Sequence, residues 1–416
     1  MNVAVGAQFI KPHICLGESL SSLKDWLEEQ DFEGYDPYDI KETSIFLLLR
    51  DVKPLVLLMN GLCHLFPLGL RHVLGVKKTK SPQAIALLAH GYMNILNMIC
   101  SCSGRACSAK KAANQLKNCL EWLEGHHSIN YGYFCWGENF GWLAGGKIFI
   151  PKGTPDIVAT SICGNAFFRA YRILGNDKYL SIAESAAKFI LECLNIDKLA
   201  KDMLCFSYTP LDNFHVHNAN LFGASLIARV GKELDDEHLV DYARSSTNYT
   251  LNEQNADGSF DYWGSSDKGA HPLIDGYHTG FVLRNLFYLY ECLEEPNIKS
   301  AIEKGYKYYI DKLFYDSIPK LTDKKLYPVD IQSLAESILC LATLSELFPE
   351  ALERAKKVAL WVITNMQDKE GYFYYRKYPY FAIKMPYMRW AQAPMFEALS
   401  YLLLKLSSKD FKQIDC

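Results

Sequence analysis

The 416-residue chain lacks an excess of charge of either sign: 44 Lys and Arg stand against 47 Asp and Glu. With a net charge of −3 and no basic stripe, it carries no electrostatic footprint for nucleic acid. It also lacks an apolar run of the ~20 residues that a membrane-spanning helix needs. The strongest candidate, "PLVLLMNGLCHLFPLGL" (54–70), is shorter and contains Asn60 and His64. Arg71, His72, Lys77, Lys78 and Lys80 follow it. A buried helix is the default reading there, and a peripheral membrane contact through 54–80 is the alternative. No basic start, apolar core and cleavage site mark the first twenty residues as a signal peptide. The 13 cysteines are scattered, which suggests reduced thiols in a cytoplasmic chain. Their one cluster, "CSCSGRAC" (Cys100, Cys102, Cys107), has no second pair or nearby His at zinc spacing, so no metal site is expected. Long alternating strands are also missing.

Hydrophobic residues make up 49% of the chain, enough for a large core. Aromatics make up 13%, available either as core filling or as the lining of a sugar cleft. Helical periodicity dominates, and from Pro82 onward the helices fall into pairs. First members begin near 82, 155, 213, 275, 330 and 389, a repeat of about 60 residues. They are apolar nearly all round, as in "IVATSICGNAFFRAY" and "IQSLAESILCLATL". Second members, such as "ALERAKKVALWVITNM", carry charges on one side. The first set is therefore expected inside and the second outside. Six inner helices and about six outer ones predict an all-α (α/α)6 toroid over 81–416, with short β-like segments in the loops of one face. The last inner helix lacks an outer partner, and a helix from the extension 1–80 (18–30 or 44–60) can close the ring. Gln254–Phe260 and Gln367–Phe373 both fit Gln-x-x-x-Gly-x-Phe and resemble the QxxxGxW turn of terpenoid cyclases and other α/α toroids. That resemblance implies a fold element and no reaction.

All outer-to-inner loops reach one face of a toroid, together with the inner-helix starts. This predicts a shared rim of Asp156, His215, His217, Asn218, Asp275, Tyr277, His278, Asp330, Gln332, Arg389, Trp390 and Gln392. Loop residues Trp136, Glu138, Trp142, Tyr208, Trp263, Arg376 and Tyr387 join them. Each aspartate also has a plainer role as a helix cap. Five consecutive loops placing ionisable or aromatic groups at one rim raise the reading to a functional cleft. The loop "FEGYDPYD" (32–39) is expected either to reach this face or to tie the ring.

The ring resembles that of six-hairpin glycosidases, uronate-processing polysaccharide lyases and sugar 2-epimerases. "YHT" before an apolar helix is similar to part of the helical domain of glucuronyl C5-epimerases. The blocks "FEGYDPYD", "HVHNANL", "DGYHTGF" and "MRWAQAPMFEAL" together resemble a bacterial family associated with surface-polysaccharide gene clusters, whose members are labelled toroid or prenyltransferase-like. This implies a glycan context without a catalytic assignment.

Four functions follow as expectations. The first is proton abstraction at C5 of a uronic acid, as epimerase or lyase. His215, His217, Tyr277 and His278 would move the proton, and Asn218, Arg389 and Gln392 would hold the carboxylate. The second is glycoside hydrolysis by a carboxyl pair such as Asp275 and Asp330, with Glu138 and Asp156 as further candidates. The third is a non-catalytic glycan-binding or scaffold protein. The fourth, terpenoid chemistry, lacks an Asp-rich acid or diphosphate motif. None of the sugar readings requires a cofactor, the partner is an oligo- or polysaccharide, and nothing indicates an oligomeric state.

Overall fold

A computed structural model describes residues 12–43, 46, 48, 67–100, 106–267 and 273–414. Residues 54–66 and Cys102 lie outside the described residues, as do the side chains of Cys100 and Cys107. In chain order the helices are α1 (Pro12–Glu29), α2 (Pro67–Val73), α3 (Pro82–Cys100), α4 (Ala106–Gly125), α5 (Ile157–Leu174), α6 (Asp177–Cys193), α7 (His217–Glu233), α8 (Glu237–Asn252), α9 (Gly276–Leu293), α10 (Pro296–Lys312), α11 (Ile331–Leu344), α12 (Ala351–Met366) and α13 (Ala393–Ile414).

The odd-numbered helices from α3 to α13 touch one another in sequence, and α13 returns to α3, so six inner helices close a ring. From α4 to α12, each even-numbered helix packs outside the inner helix before it. Burial separates the layers as the patterning predicts. Every residue of α11 is buried, whereas α10 buries Ile298, Ala301, Ile302, Gly305, Tyr306, Tyr308 and Tyr309, one stripe of an amphipathic helix.

The sixth outer place belongs to α1, which packs on α12 and α13. The two Gln-x-x-x-Gly-x-Phe turns prove the equivalence. Gln254 Nε2 donates to Gly258 O and Ala301 O, both at 3.0 Å. Gly258 has a φ of +92°, and a Cβ there would stand 2.4 Å from Lys304 O. Gln367 Nε2 likewise donates to Gly371 O at 2.9 Å and Ser19 O at 3.1 Å. A Cβ on Gly371, with φ +102°, would meet Ser22 O at 2.4 Å. Each turn thus clamps one outer helix to the next, and α1 stands to the second turn as α10 stands to the first. Phe260 and Phe373 are buried wedges.

Short antiparallel pairs occupy the outer-to-inner connections: β1 (Trp142–Ala144) with β2 (Ile148–Ile150), β3 (Ile196–Ala200) with β4 (Met203–Phe206), β5 (Phe314–Tyr315) with β6 (Ile318–Pro319), and β7 (Val329–Asp330) with β8 (Arg376–Lys377) and β9 (Ala382–Ile383). Arg71 is not part of a basic surface. It is fully buried in α2, where its guanidinium donates to Asp39 Oδ1 at 3.0 Å and Asp36 O at 2.7 Å. Among the described residues, no helix is long and apolar enough to cross a membrane.

Candidate functional site

Three inner helices begin on one face at aspartates that cap them. Asp156 Oδ1 accepts from Ala159 N, Asp275 Oδ1 from His278 N and Asp330 Oδ1 from Gln332 N, at 2.8, 2.8 and 2.9 Å. These bonds satisfy helix-start N–H groups and fix the rotation of each helix. The second residue of five inner helices then points to the axis: Gln83, Val158, Asn218, Tyr277 and Gln332 all line one cleft of about 300 Å³. Loops supply aromatic walls, including Tyr38, Phe140, Trp142, Tyr208, Tyr262 and Trp263. A π-turn over Met388–Gln392, an uncommon helix form found frequently at functional sites, brings Arg389 and Trp390 to the cleft.

His278 is the histidine in this cleft. Its Nδ1 lies 2.7 Å from Asp275 Oδ2, so Asp275 both caps α9 and orients the imidazole. The carboxylate holds the proton on Nδ1 and leaves the Nε2 lone pair available in the neutral ring. Among the described residues Nε2 has no hydrogen-bond partner. Tyr262 and Tyr277 hold the ring in place, with centroids 4.4 and 3.9 Å away.

Glu138 lines the same cleft, buried at 7% exposure, and neither carboxyl oxygen has a hydrogen-bond partner among the described residues. Burial pushes its carboxyl up to about 7, against the pull of Arg389, whose Nε is 3.9 Å from Oε2. Arg389 cannot neutralise it fully because the guanidinium is held by Asp36, at 2.7 and 3.0 Å. Burial also raises Asp156 to about 6, opposed by the Ala159 N–H. Glu138 neighbours Arg389 and shares a second depression with Ser81, the residue before α3. In a ring of six, α3 lies opposite α9, so the Glu138 and His278 groups approach the axis from opposite sides.

Burial raises the phenols of Tyr208 and Tyr277 far above the usual tyrosine range. A tyrosine moves a proton near neutrality only if a cation lowers it, and burial does the opposite to Tyr277, which counts against its expected role in proton transfer.

Several rim candidates lie elsewhere. His215 and His217 turn outward. His215 contacts Ser266 Oγ at 2.8 Å and Asp197 Oδ2 at 3.1 Å, and its backbone N donates to Asp267. His217 is buried against Thr250 and stacks on Tyr249. Asp330 is committed to structure: Oδ2 accepts from Arg376 Nε at 2.6 Å, and Oδ1 from Trp390 Nε1 at 3.1 Å. The Asp275 and Asp330 carboxylates are therefore each engaged, one by His278 and one by Arg376. Trp136 is fully buried and donates to Leu123 O. Tyr387 is buried beneath Arg71. Gln392 clamps both backbone polar groups of Phe373, at 2.8 and 2.7 Å. The loop 32–39 reaches this face, where Tyr38 lines the cleft and Asp36 holds Arg389; Gln83, Lys41 and Phe140 line the cleft without having been singled out by sequence. The helix-start rule would have found Gln83, since Pro82 is its first residue. Among the described residues no three His, Cys, Asp or Glu side chains gather as a metal site.

No family profile matches the chain, and no curated protein matches it. Solved structures do. Cellobiose 2-epimerase from Bacillus thermoamylovorans aligns with a TM-score of 0.58 at 13% identity, over 80% of this chain and 90% of its own. An unsaturated glucuronyl hydrolase specific for heparin aligns at 0.60 and 12% identity, over 97% and 98%. A family 76 glycoside hydrolase from a bovine Bacteroides thetaiotaomicron strain aligns at 0.61 and 9%, over 97% and 78%. The fold is the six-hairpin (α/α)6 toroid.

Proposed function

We propose that this chain is a carbohydrate-active enzyme that moves a proton on an acidic oligo- or polysaccharide, at C5 of a uronic residue. The observation that carries this reading is the presence in one cleft of His278, its Nε2 open beside the Asp275 contact, and Glu138, a buried carboxyl with no hydrogen-bond partner among the described residues and raised to about 7. In the proposed step His278 Nε2 takes the C5 proton. The electron pair delocalises into the adjacent carboxylate, where Lys41 and the amides of Asn218 and Gln332 stabilise it. Glu138 then delivers its proton. Delivery to C5 from the opposite side inverts the centre, and delivery to the departing glycosidic oxygen at C4 gives an unsaturated product. Approach from opposite sides of the ring suits inversion. Solved neighbours named as a cellobiose epimerase and a glucuronyl hydrolase support a saccharide in this cleft.

Hydrolysis is the second reading, and one observation favours it. Glu138 and Asp156 are both buried cleft carboxyls with raised pKa values, and the charge of Asp156 helps hold the proton on Glu138. That is the arrangement of a general acid beside a carboxylate.

One experiment separates the readings. The protein is incubated with uronic-acid polysaccharides in D2O and followed by NMR. Deuterium at C5 is the expected result. New reducing ends without unsaturation or deuterium would replace proton abstraction by hydrolysis. Saturable binding without turnover across an acidic panel would show a glycan-binding protein.

A further inference from the structure

The axial stripe that begins at the second residue of each inner helix continues below the cleft. Four residues further along lie Leu87, Ile162, Phe222, Phe281 and Glu336, and Gln83, Phe281 and Gln332 border both spaces. The cleft therefore leads into a chamber of about 60 Å³ on the ring axis, to which all six inner helices contribute. Its charged residues are Arg169, Arg229, Arg284, Glu336 and Glu397, with His90 beside them.

Three guanidiniums face two carboxyls. Arg284 is satisfied by Glu336 through two bonds of 2.9 Å. Arg169 is bonded only to neutral groups, His90 Nδ1 at 2.8 Å and Asn94 Oδ1 at 2.7 Å. Its donation to Nδ1 requires a neutral imidazole, and burial together with Arg169 holds His90 well below the usual histidine range. Arg229 donates to Asn165 Oδ1 at 3.0 Å and lies 3.9 Å over the Tyr288 ring. Among the described residues, no carboxylate forms an ion pair with Arg169 or Arg229. Glu397 lines the chamber with no side-chain hydrogen-bond partner among the described residues, and burial raises its carboxyl against the pull of Arg284 and Arg169. Glu291, the other acid near Arg229, is exposed at the far end of α9. At least one positive charge is left over deep on the ring axis, where an uncompensated buried charge is costly. Gln332, at the passage, has an amide oxygen without a partner among the described residues, and its amide can offer either donors or an acceptor to an occupant.

We propose that this axial chamber is an anion site for one small monovalent anion, a halide or a carboxylate, held by Arg169 and Arg229. Both arginines lie roughly 18 Å along their helices from the open face. Their side chains lean back toward it, as helix geometry requires. The space suits a chloride-sized ion or a single carboxylate head entering from the cleft. The site stands on its own charges; only a saccharide source for the carboxylate rests on the reading above.

The test uses the full chain. Crystals soaked in bromide should show an anomalous peak in the chamber beside both guanidiniums. In a bulky sulfonate buffer, chloride, formate and glucuronate should each raise Tm saturably, and Arg229→Gln and Arg169→Gln should remove the saturable part. Glucuronate displacing bromide assigns the carboxylate to the saccharide; bromide retained beside bound glucuronate assigns a free anion. Both outcomes support the site, and neither depends on turnover. No bromide peak in the parent protein, or an anion effect that both variants keep, would overturn it. If the variants do not fold, the bromide peak in the parent decides.

Discussion

His217 and His278 stand at the starts of neighbouring inner helices and end in opposite surroundings. His217 is the first residue of α7 and turns back onto Thr250 and Tyr249 of the outer helix α8. His278 is the third residue of α9 and lines the cleft with Nδ1 held by Asp275. Two residues along a helix are about 200° of rotation. Between them the second position, occupied by Asn218 and Tyr277, points to the axis in both helices. A titratable group at a helix start is therefore placed by its count from the cap, and residue type says nothing about which way it faces.

The largest effect should come from His278→Gln, which removes the proposed base. Proton transfer to C5 should fall by roughly 10²–10⁴, measured as deuterium incorporation, with the fold retained by circular dichroism. A loss of less than tenfold would put His278 with His217. Glu138→Gln should follow, at about 10², with a change in pH dependence. The acid works protonated, so parent activity falls as pH rises through about 7. The residual activity of the variant should lack that limb.

The same substitution reads stability. The folded state keeps the Glu138 proton up to about 7, whereas the unfolded carboxyl releases it near 4.5. Parent stability contributed by this group is thus full below 4.5 and lost as pH rises through 7. At pH 8 Glu138→Gln should be the more stable protein, by on the order of 3 kcal/mol. Equal Tm values at pH 8 would show that the carboxyl ionises without cost.

Asp275→Asn should be milder. Asn still caps α9, so Tm should hold, while loss of the carboxylate that fixes the His278 tautomer should lower kcat by about tenfold. An unchanged kcat would reduce Asp275 to a cap. The smallest change in activity should come from His217→Ala, within about twofold, while stability drops by about 1–3 kcal/mol from the lost buried contacts. If that variant were inactive yet folded, the contrast between the two histidines would fail.

The toroid was legible because the repeat, the two kinds of helix and the paired Gln-x-x-x-Gly-x-Phe turns agree with one another. The side of the ring that carries the loops was legible for the same reason. What patterning could not supply was rotation about each helix, which separates Asn218 from His217, or knowledge of which polar groups satisfy each other. Asp330 and Arg376 looked available and are spent on each other, and Gln392 serves the Phe373 backbone. The axial arginines were hidden for a different reason. Arg169, Arg229 and Arg284 stand on three different inner helices, and only ring closure brings them together.

The place of α1 has a consequence for the order of events during synthesis. Ser19 and Gln367 bond across 348 residues of sequence. At about 5–20 residues per second, α1 leaves the ribosome roughly 20–70 s before the turn that receives it. Its apolar residues Leu16, Leu20, Leu23 and Leu27 are all buried in the finished protein, so the side of α1 that faces α12 and α13 must wait for them. Until Gln367 emerges, every nascent form is an open arc with a sticky first helix. The polypeptide must carry that liability across 348 residues of synthesis.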